Sequence, residues 1–92
     1  MSIRRMSDEP ERALKARAMV EKPLVWIGKN GLTEEIIAQV DSFLKKKKLV
    51  KIKLLNSYVE THDRKAAAKE LAERTNSRLI YQTGFVVALY RR

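Results

Sequence analysis

Between Leu32 and Lys48 the apolar side chains recur three and four residues apart, as they do in an amphipathic helix. Ile36, Ile37, Val40, Phe43 and Leu44 fall on one face and predict the clearest helix of the chain, with Phe43 in the core. Thr33 suits its N-cap, and Leu32 before the cap is placed to staple onto Ile37. Lys45, Lys46, Lys47 and Lys48 close it, where positive charge suits the C-terminal end of the helix dipole. The pattern then switches to period two. In Leu49-Val50-Lys51-Ile52-Lys53-Leu54, a strand, Val50, Ile52 and Leu54 share one face and Lys51 and Lys53 share the other. Ahead of the helix, Leu24-Val25-Trp26-Ile27 is an unbroken apolar run between Pro23 and Gly28, and it predicts a short buried strand with Trp26 packed in the core.

The same reading supplies the remaining elements. Pro10 opens a first helix, because its missing N–H costs nothing at a helix start, and Ala13, Leu14, Ala16, Ala18 and Val20 carry it on until Pro23. A third helix runs from about Asp63 to Thr75, with Ala67, Ala68, Leu71 and Ala72 inward and Asp63 or Thr61 as its cap. Residues 78–82 and 85–90 read as strands of a hairpin around Thr83-Gly84. The order is α-β-α-β-α-β-β, which predicts an α/β (α+β) fold. Right-handed βαβ crossovers make parallel strands and the hairpin adds an antiparallel one, so the expected core is a four-stranded mixed sheet with helices packed on it. The lysines of the second strand imply that one sheet face is partly open. Residues 1–9 are polar and unpatterned, a loose lead-in to a single domain over residues 10–92.

Composition narrows the function. The 92 residues suffice for one core and contain no cysteine, which removes disulfides, thiolate catalysis and the usual zinc frameworks. Met1 to Met6 lacks an apolar signal core, and the longest apolar run, Phe85 to Tyr90, is too short to span a bilayer, so a cytoplasmic protein is expected. Twenty Lys and Arg against 11 Asp and Glu give a formal charge of +9, a field that draws polyanions. Nucleic acid is the leading partner; a membrane is the weaker one, because no basic amphipathic segment carries the bulky apolar face of an interfacial helix.

Catalysis finds little support. His62 is the only histidine and lies beside Asp63 near a helix start, where capping explains it, and the acidic residues are dispersed. Walker and Rossmann spacings are missing. No catalytic residue, metal, cofactor or small-molecule substrate is therefore expected, and a monomer is favoured.

Gly28-Lys29-Asn30-Gly31 joins the first strand to the central helix and holds two of the three glycines. Glycine permits positive φ and close backbone approach, so Lys29 and Asn30 between two such hinges can reach a phosphate. The loop feeds a helix N-terminus, which favours an anion, although Glu34 and Glu35 already occupy that dipole. A two-glycine turn is equally a way to leave a strand and begin a helix, so the loop alone leaves both readings open. Four consecutive lysines, ~100° apart around a helix, cannot all face one partner, whereas Lys51 and Lys53 point the same way and mark a functional sheet face. Trp26, Tyr58, Tyr81, Phe85 and Tyr90 are the aromatics available to stack on bases.

Pro23-Leu24-Val25-Trp26-Ile27-Gly28-Lys29-Asn30-Gly31-Leu32-Thr33, followed by Leu49-Val50-Lys51-Ile52-Lys53 and a closing Leu89-Tyr90-Arg91, resembles the CRM domain. This is the chloroplast RNA splicing and ribosome maturation family that includes the bacterial YhbY proteins, and the resemblance runs from about residue 10 to the end. It implies a fold similar to the C-terminal domain of translation initiation factor 3, a β-α-β-α-β-β core with an added N-terminal helix. It also implies an RNA-binding module, free-standing in prokaryotes, whose bacterial members associate with precursors of the large ribosomal subunit, while plant members assist intron splicing. By this resemblance the GxxG loop falls on Gly28, Lys29, Asn30 and Gly31 and the basic strand on Lys51 and Lys53; Lys22 and Arg91 complete the expected RNA footprint. The expectation is a non-enzymatic protein that binds ribosomal RNA or pre-ribosomal particles. An Alba-like chromatin protein is the alternative, set back by the short Thr83-Gly84 turn where a long hairpin arm is needed. A small RNA-processing enzyme is a third, without convincing metal ligands.

Overall fold

Helix caps set the frame. In the computed structural model, which describes residues 11–91, Thr33 keeps extended backbone and its Oγ1 accepts the N–H of Ile36 at 3.1 Å. Asp63 does the same for the last helix, its Oδ2 accepting from Ala66 N–H at 3.2 Å. The elements are α1 (Glu11–Val20), β1 (Val25–Ile27), α2 (Glu34–Lys47), β2 (Leu49–Leu54), α3 (Asn56–Val59), α4 (Arg64–Arg74), β3 (Arg78–Thr83) and β4 (Val86–Tyr90). The lead-in 1–9 and Pro10 at the expected helix start lie outside the described residues.

The expected order holds, with one addition. α3 is a single turn with no apolar period to announce it. It forms because Tyr58 and Val59 donate their N–H groups to Leu55 O, at 2.9 and 3.1 Å, while the Tyr58 side chain sinks into the core. The hairpin turn is Gly84-Phe85, one residue later than the sequence suggests, since Thr83 still pairs with Val86. Gly84 takes φ +56 there, as a two-residue hairpin requires.

The sheet is four-stranded and mixed, in the order β1-β2-β4-β3. β1 runs parallel to β2, and β4 lies antiparallel between β2 and β3. One face carries Val25, Ile27, Val50, Ile52, Leu54, Val87 and Leu89, and is covered by α2, α3 and α4 through Val40, Leu44, Tyr58, Ala68 and Leu71. The other face is covered by α1, whose Leu14 and Ala18 are buried against Leu49, Ile80, Ala88 and Tyr90. A register shift between Leu79 and Tyr81 lets both Ile80 and Tyr81 join this second cluster.

Because α1 packs on β2, β3 and β4, the β1 end of the second face stays open. Trp26 lies on that open end and is 52% exposed. The expectation that Trp26 belongs to the core is thus wrong. It assumed helices on both sides of β1, but β1 is an edge strand covered on one face only.

Arg91 latches the far end of the sheet. One guanidinium nitrogen donates to Asp41 Oδ1 at 2.7 Å and to Thr75 O at 2.6 Å, and the other donates to Asp41 O at 3.1 Å. This hydrogen bond, more than the charge alone, holds the Asp41 carboxyl below the usual carboxylate range.

Candidate functional site

β1 ends where its ladder with β2 ends, at Ile27 opposite Leu54, and the chain leaves the sheet edge through Gly28. Gly31 N–H donates to Gly28 O at 3.0 Å and Thr33 N–H to Gly31 O at 3.0 Å, so the loop is a closed turn delivered directly to the α2 cap. The two glycines are not equivalent. Gly31 sits at φ +75, where an L side chain is strained, and a Cβ there would only touch Tyr58 Cε1 at 3.6 Å. Gly28 has no such φ, and a Cβ on it would make ordinary contacts with Leu55 Cδ1 and Ser57 Oγ, each at 3.6 Å. The picture of two hinges is therefore corrected to one.

Lys29 and Asn30 form the exposed tip. Among the described residues, the N–H groups of Lys29 and Asn30 donate to no backbone carbonyl, and the Lys29 ammonium has no ion-pair or hydrogen-bond partner. Beneath the tip, Tyr58 is the floor of the loop. His62 stacks parallel on Tyr58 with ring centres 4.3 Å apart, and its Nδ1 lies 3.1 Å from Tyr58 O. The lone histidine thus buttresses α3. Among the described residues no three His, Cys, Asp or Glu groups gather to hold a metal ion, and no helix is long and apolar enough to cross a membrane.

An open groove of about 290 Å³ runs beside the loop. Its walls are the four loop residues, Trp26 of β1, and Thr33, Glu35, Ile36 and Gln39 at the start of α2. Of the two acidic residues in the first turn of α2, Glu34 pairs with Arg74 at 3.0 Å, tying α2 to α4, while Glu35 faces the groove.

The other sequence candidates separate. Lys53 is exposed and lies in register beside Trp26, so it joins the open end of the second face. Lys51, two residues back, is half-buried and donates its Nζ hydrogen to Glu21 O at 3.2 Å, bracing the end of α1. Lys22 is exposed but precedes β1, at the end of the strand away from the loop. Arg91 sits at that same far end, its N–H bound to Lys48 O and its side chain only 20% exposed. Lys45 pairs with Asp41 at 3.6 Å there. The loop and Lys53 therefore come together, while Lys22, Lys45 to Lys48 and Arg91 do not join them.

Two features depart from the sequence reading. One is Trp26, named there among the stacking aromatics but assigned to the core, which is a wall of the groove. The other is Arg64, which lies 5.3 Å from the centre of the Phe85 ring and donates to Gly84 O at 3.1 Å, at the loop end of the sheet. A cation as the first residue of a helix opposes the dipole, and that local conflict was the available signal.

Comparison with known proteins gives this chain a lineage. The sequence model of the CRS1 / YhbY (CRM) domain matches residues 6–91. A Methanocaldococcus jannaschii protein named "Probable RNA-binding protein" is 32% identical over 88 residues, covering 96% of this chain and 65% of that relative, so this chain spans about two thirds of its length. A Pseudomonas aeruginosa protein of the same description is 30% identical over 87 residues, covering 95% of this chain and 82% of the relative. The solution structure of a Staphylococcus aureus protein proposed to bind RNA superposes with a TM-score of 0.76 at 31% identity, over 89% of this chain and 83% of that one. A match across nearly the whole sequence, together with a shared fold at that identity, means that this chain belongs to the CRS1 / YhbY family of CRM domains.

Proposed function

We propose that this chain is a non-enzymatic RNA-binding module that holds ribosomal RNA, in precursors of the large subunit, in the cytoplasm and as a monomer. The observation that carries the reading is the tip of the GxxG loop. Among the described residues Lys29 has no side-chain partner there, its own N–H and that of Asn30 donate to no backbone carbonyl, and it stands beside a glycine, Gly28, that neither φ nor packing requires. Bare backbone at that point suits the close approach of another backbone. The naming of relatives for RNA binding gives that partner its chemistry.

In this mechanism a phosphate lies against the N–H groups of Lys29 and Asn30, and the Lys29 ammonium neutralises it. Lys53 meets a neighbouring phosphate across the open end of the sheet. The remaining positive charge attracts RNA without reading its sequence. Each neutralised phosphate releases counterions, so affinity falls with salt with a log-log slope of about 0.7 to 0.9 per contact. Gly31 N–H belongs to the turn and is not part of the clamp.

Sequencing the RNA crosslinked to this protein in its own cells tests the assignment. Recovery of large-subunit ribosomal RNA and its precursors is the expected result. Intron RNA or genomic DNA in their place would overturn the ribosomal reading, and magnesium-dependent cleavage by the purified protein would overturn the non-enzymatic one.

A further inference from the structure

The groove beside the loop is built from two kinds of surface. Trp26 offers a large flat ring, half out in solvent, on a strand position fixed by pairing with Lys53. On the α2 side of the same groove, past the edge of β1, Glu35 and Gln39 stand one helical turn apart. Among the described residues the Glu35 carboxylate has no cationic partner, so the groove repels a phosphate while the tip beside it attracts one. A ligand that suits both halves has an anionic end and a flat, uncharged end carrying hydrogen-bond donors.

We propose that Trp26 is the stacking platform for one unpaired nucleobase of the bound RNA, with the edge of that base turned toward Glu35 and Gln39. The inference rests on the RNA-binding reading above and adds the strand state of the ligand. A base inside a duplex has both faces stacked and its pairing edge occupied, whereas an unpaired base can lie on an aromatic ring and present its amino group. A carboxylate accepts from the amino group of cytosine, and the Gln39 amide both donates and accepts. The phosphate of the same nucleotide then falls at Lys29. β1 is an edge strand and α1 packs on β2, β3 and β4, which leaves about half of Trp26 in solvent.

Trp26 is the only tryptophan, so its emission reports on the platform directly. The probes are an RNA hairpin with an unpaired loop and the same RNA annealed to its full complement, titrated into the parent, Trp26→Ala and Trp26→Phe, with thermal denaturation of each protein as the folding control. The hairpin should quench the parent emission and the duplex should not. Trp26→Ala should lose on the order of 5- to 150-fold in hairpin affinity, the range alanine substitution gives for one stacked base, and keep its duplex affinity. Trp26→Phe should recover most of the loss. Glu35→Gln should reduce a preference for cytosine over uracil in the hairpin loop. Absence of quenching with parent-like hairpin affinity in Trp26→Ala would overturn the platform while leaving salt-dependent binding by the loop intact. An equal loss on hairpin and duplex would also overturn it. A parent that binds neither RNA would overturn the RNA reading itself.

Discussion

Alanine at Gly28 and alanine at Gly31 are one methyl group each, three residues apart, and they should have opposite consequences. At Gly31 the backbone holds φ +75, where an L residue costs about 1–2 kcal/mol. The methyl itself meets only Tyr58 Cε1 at 3.6 Å, ordinary contact that adds little to that cost. Alanine also narrows the unfolded ensemble, which returns roughly 0.4–1 kcal/mol. The net loss is about 0–1.6 kcal/mol, centred near 0.8, and a domain of this size loses about 4–8 °C in Tm for each kcal/mol. Gly28 has no such φ, and its two neighbours, Leu55 Cδ1 and Ser57 Oγ at 3.6 Å, are ordinary contacts, so Gly28→Ala keeps only the unfolded-state term and should melt at or slightly above the parent temperature. Binding should follow the other order of causes. In the proposed clamp RNA backbone passes the loop at Gly28, so a methyl there, set against Leu55 and Ser57, should weaken RNA affinity with the fold intact. Thermal denaturation by circular dichroism, beside fluorescence anisotropy with labelled RNA, measures both. A Gly31→Ala protein that melts like the parent would refute the strain argument, and a Gly28→Ala protein that binds like the parent would refute the close approach.

Lys29→Ala should leave stability within about 0.5 kcal/mol of the parent, as exposed substitutions do, and should lower the magnitude of the salt slope of RNA binding by about one phosphate contact; an unchanged slope in a salt titration would remove Lys29 from the footprint. Lys48 closes α2 at φ 68, so Lys48→Gly relieves strain that Lys48→Ala retains, and the glycine variant should have the higher Tm of the two although both lose the same charge. Asp41 has a folded pKa below its unfolded one because Arg91 donates to it, so its contribution to stability is present above about pH 4 and is lost as pH falls through the lowered folded value. Acidification should therefore lower the Tm of the parent more than that of Asp41→Asn, and parallel curves would show that the latch does not respond to pH.

What the sequence discloses here is what neighbouring residues decide among themselves. The α2 period, its Thr33 cap, the alternation of β2 and the Asp63 cap involve residues within a turn or two of each other, and all appear where the pattern puts them. Trp26 is different, because its exposure depends on strand order and on where α1 lands, neither of which is written in Val25-Trp26-Ile27. Arg91 meets Asp41 and Thr75 across 50 and 16 residues, so a chain-end arginine that looks free to bind RNA is a structural latch. Lys51 and Lys53 share a face as strand geometry demands, yet only the end of α1 tells them apart. The loop itself was visible as a motif, but a motif of two glycines does not say which of them bends the chain and which lies bare.

The position of β4 has a consequence for how the protein is made. Of the four strands it is the last to be synthesised, and it is the one that lies between β2 and β3. Without residues 86–90 the pairings reduce to a parallel β1-β2 pair and a separate β3, with the inner edges of β2 and β3 unpaired and the α1 cluster lacking Ala88 and Tyr90. Helices form early from local contacts, but the sheet closes in one late step that joins distant parts of the chain. Loss of β4 would leave two open edges, the kind of surface that seeks strands in other molecules. A chain that has not yet made residues 86–90 can form only the β1-β2 pair, so the four-stranded sheet waits on β4.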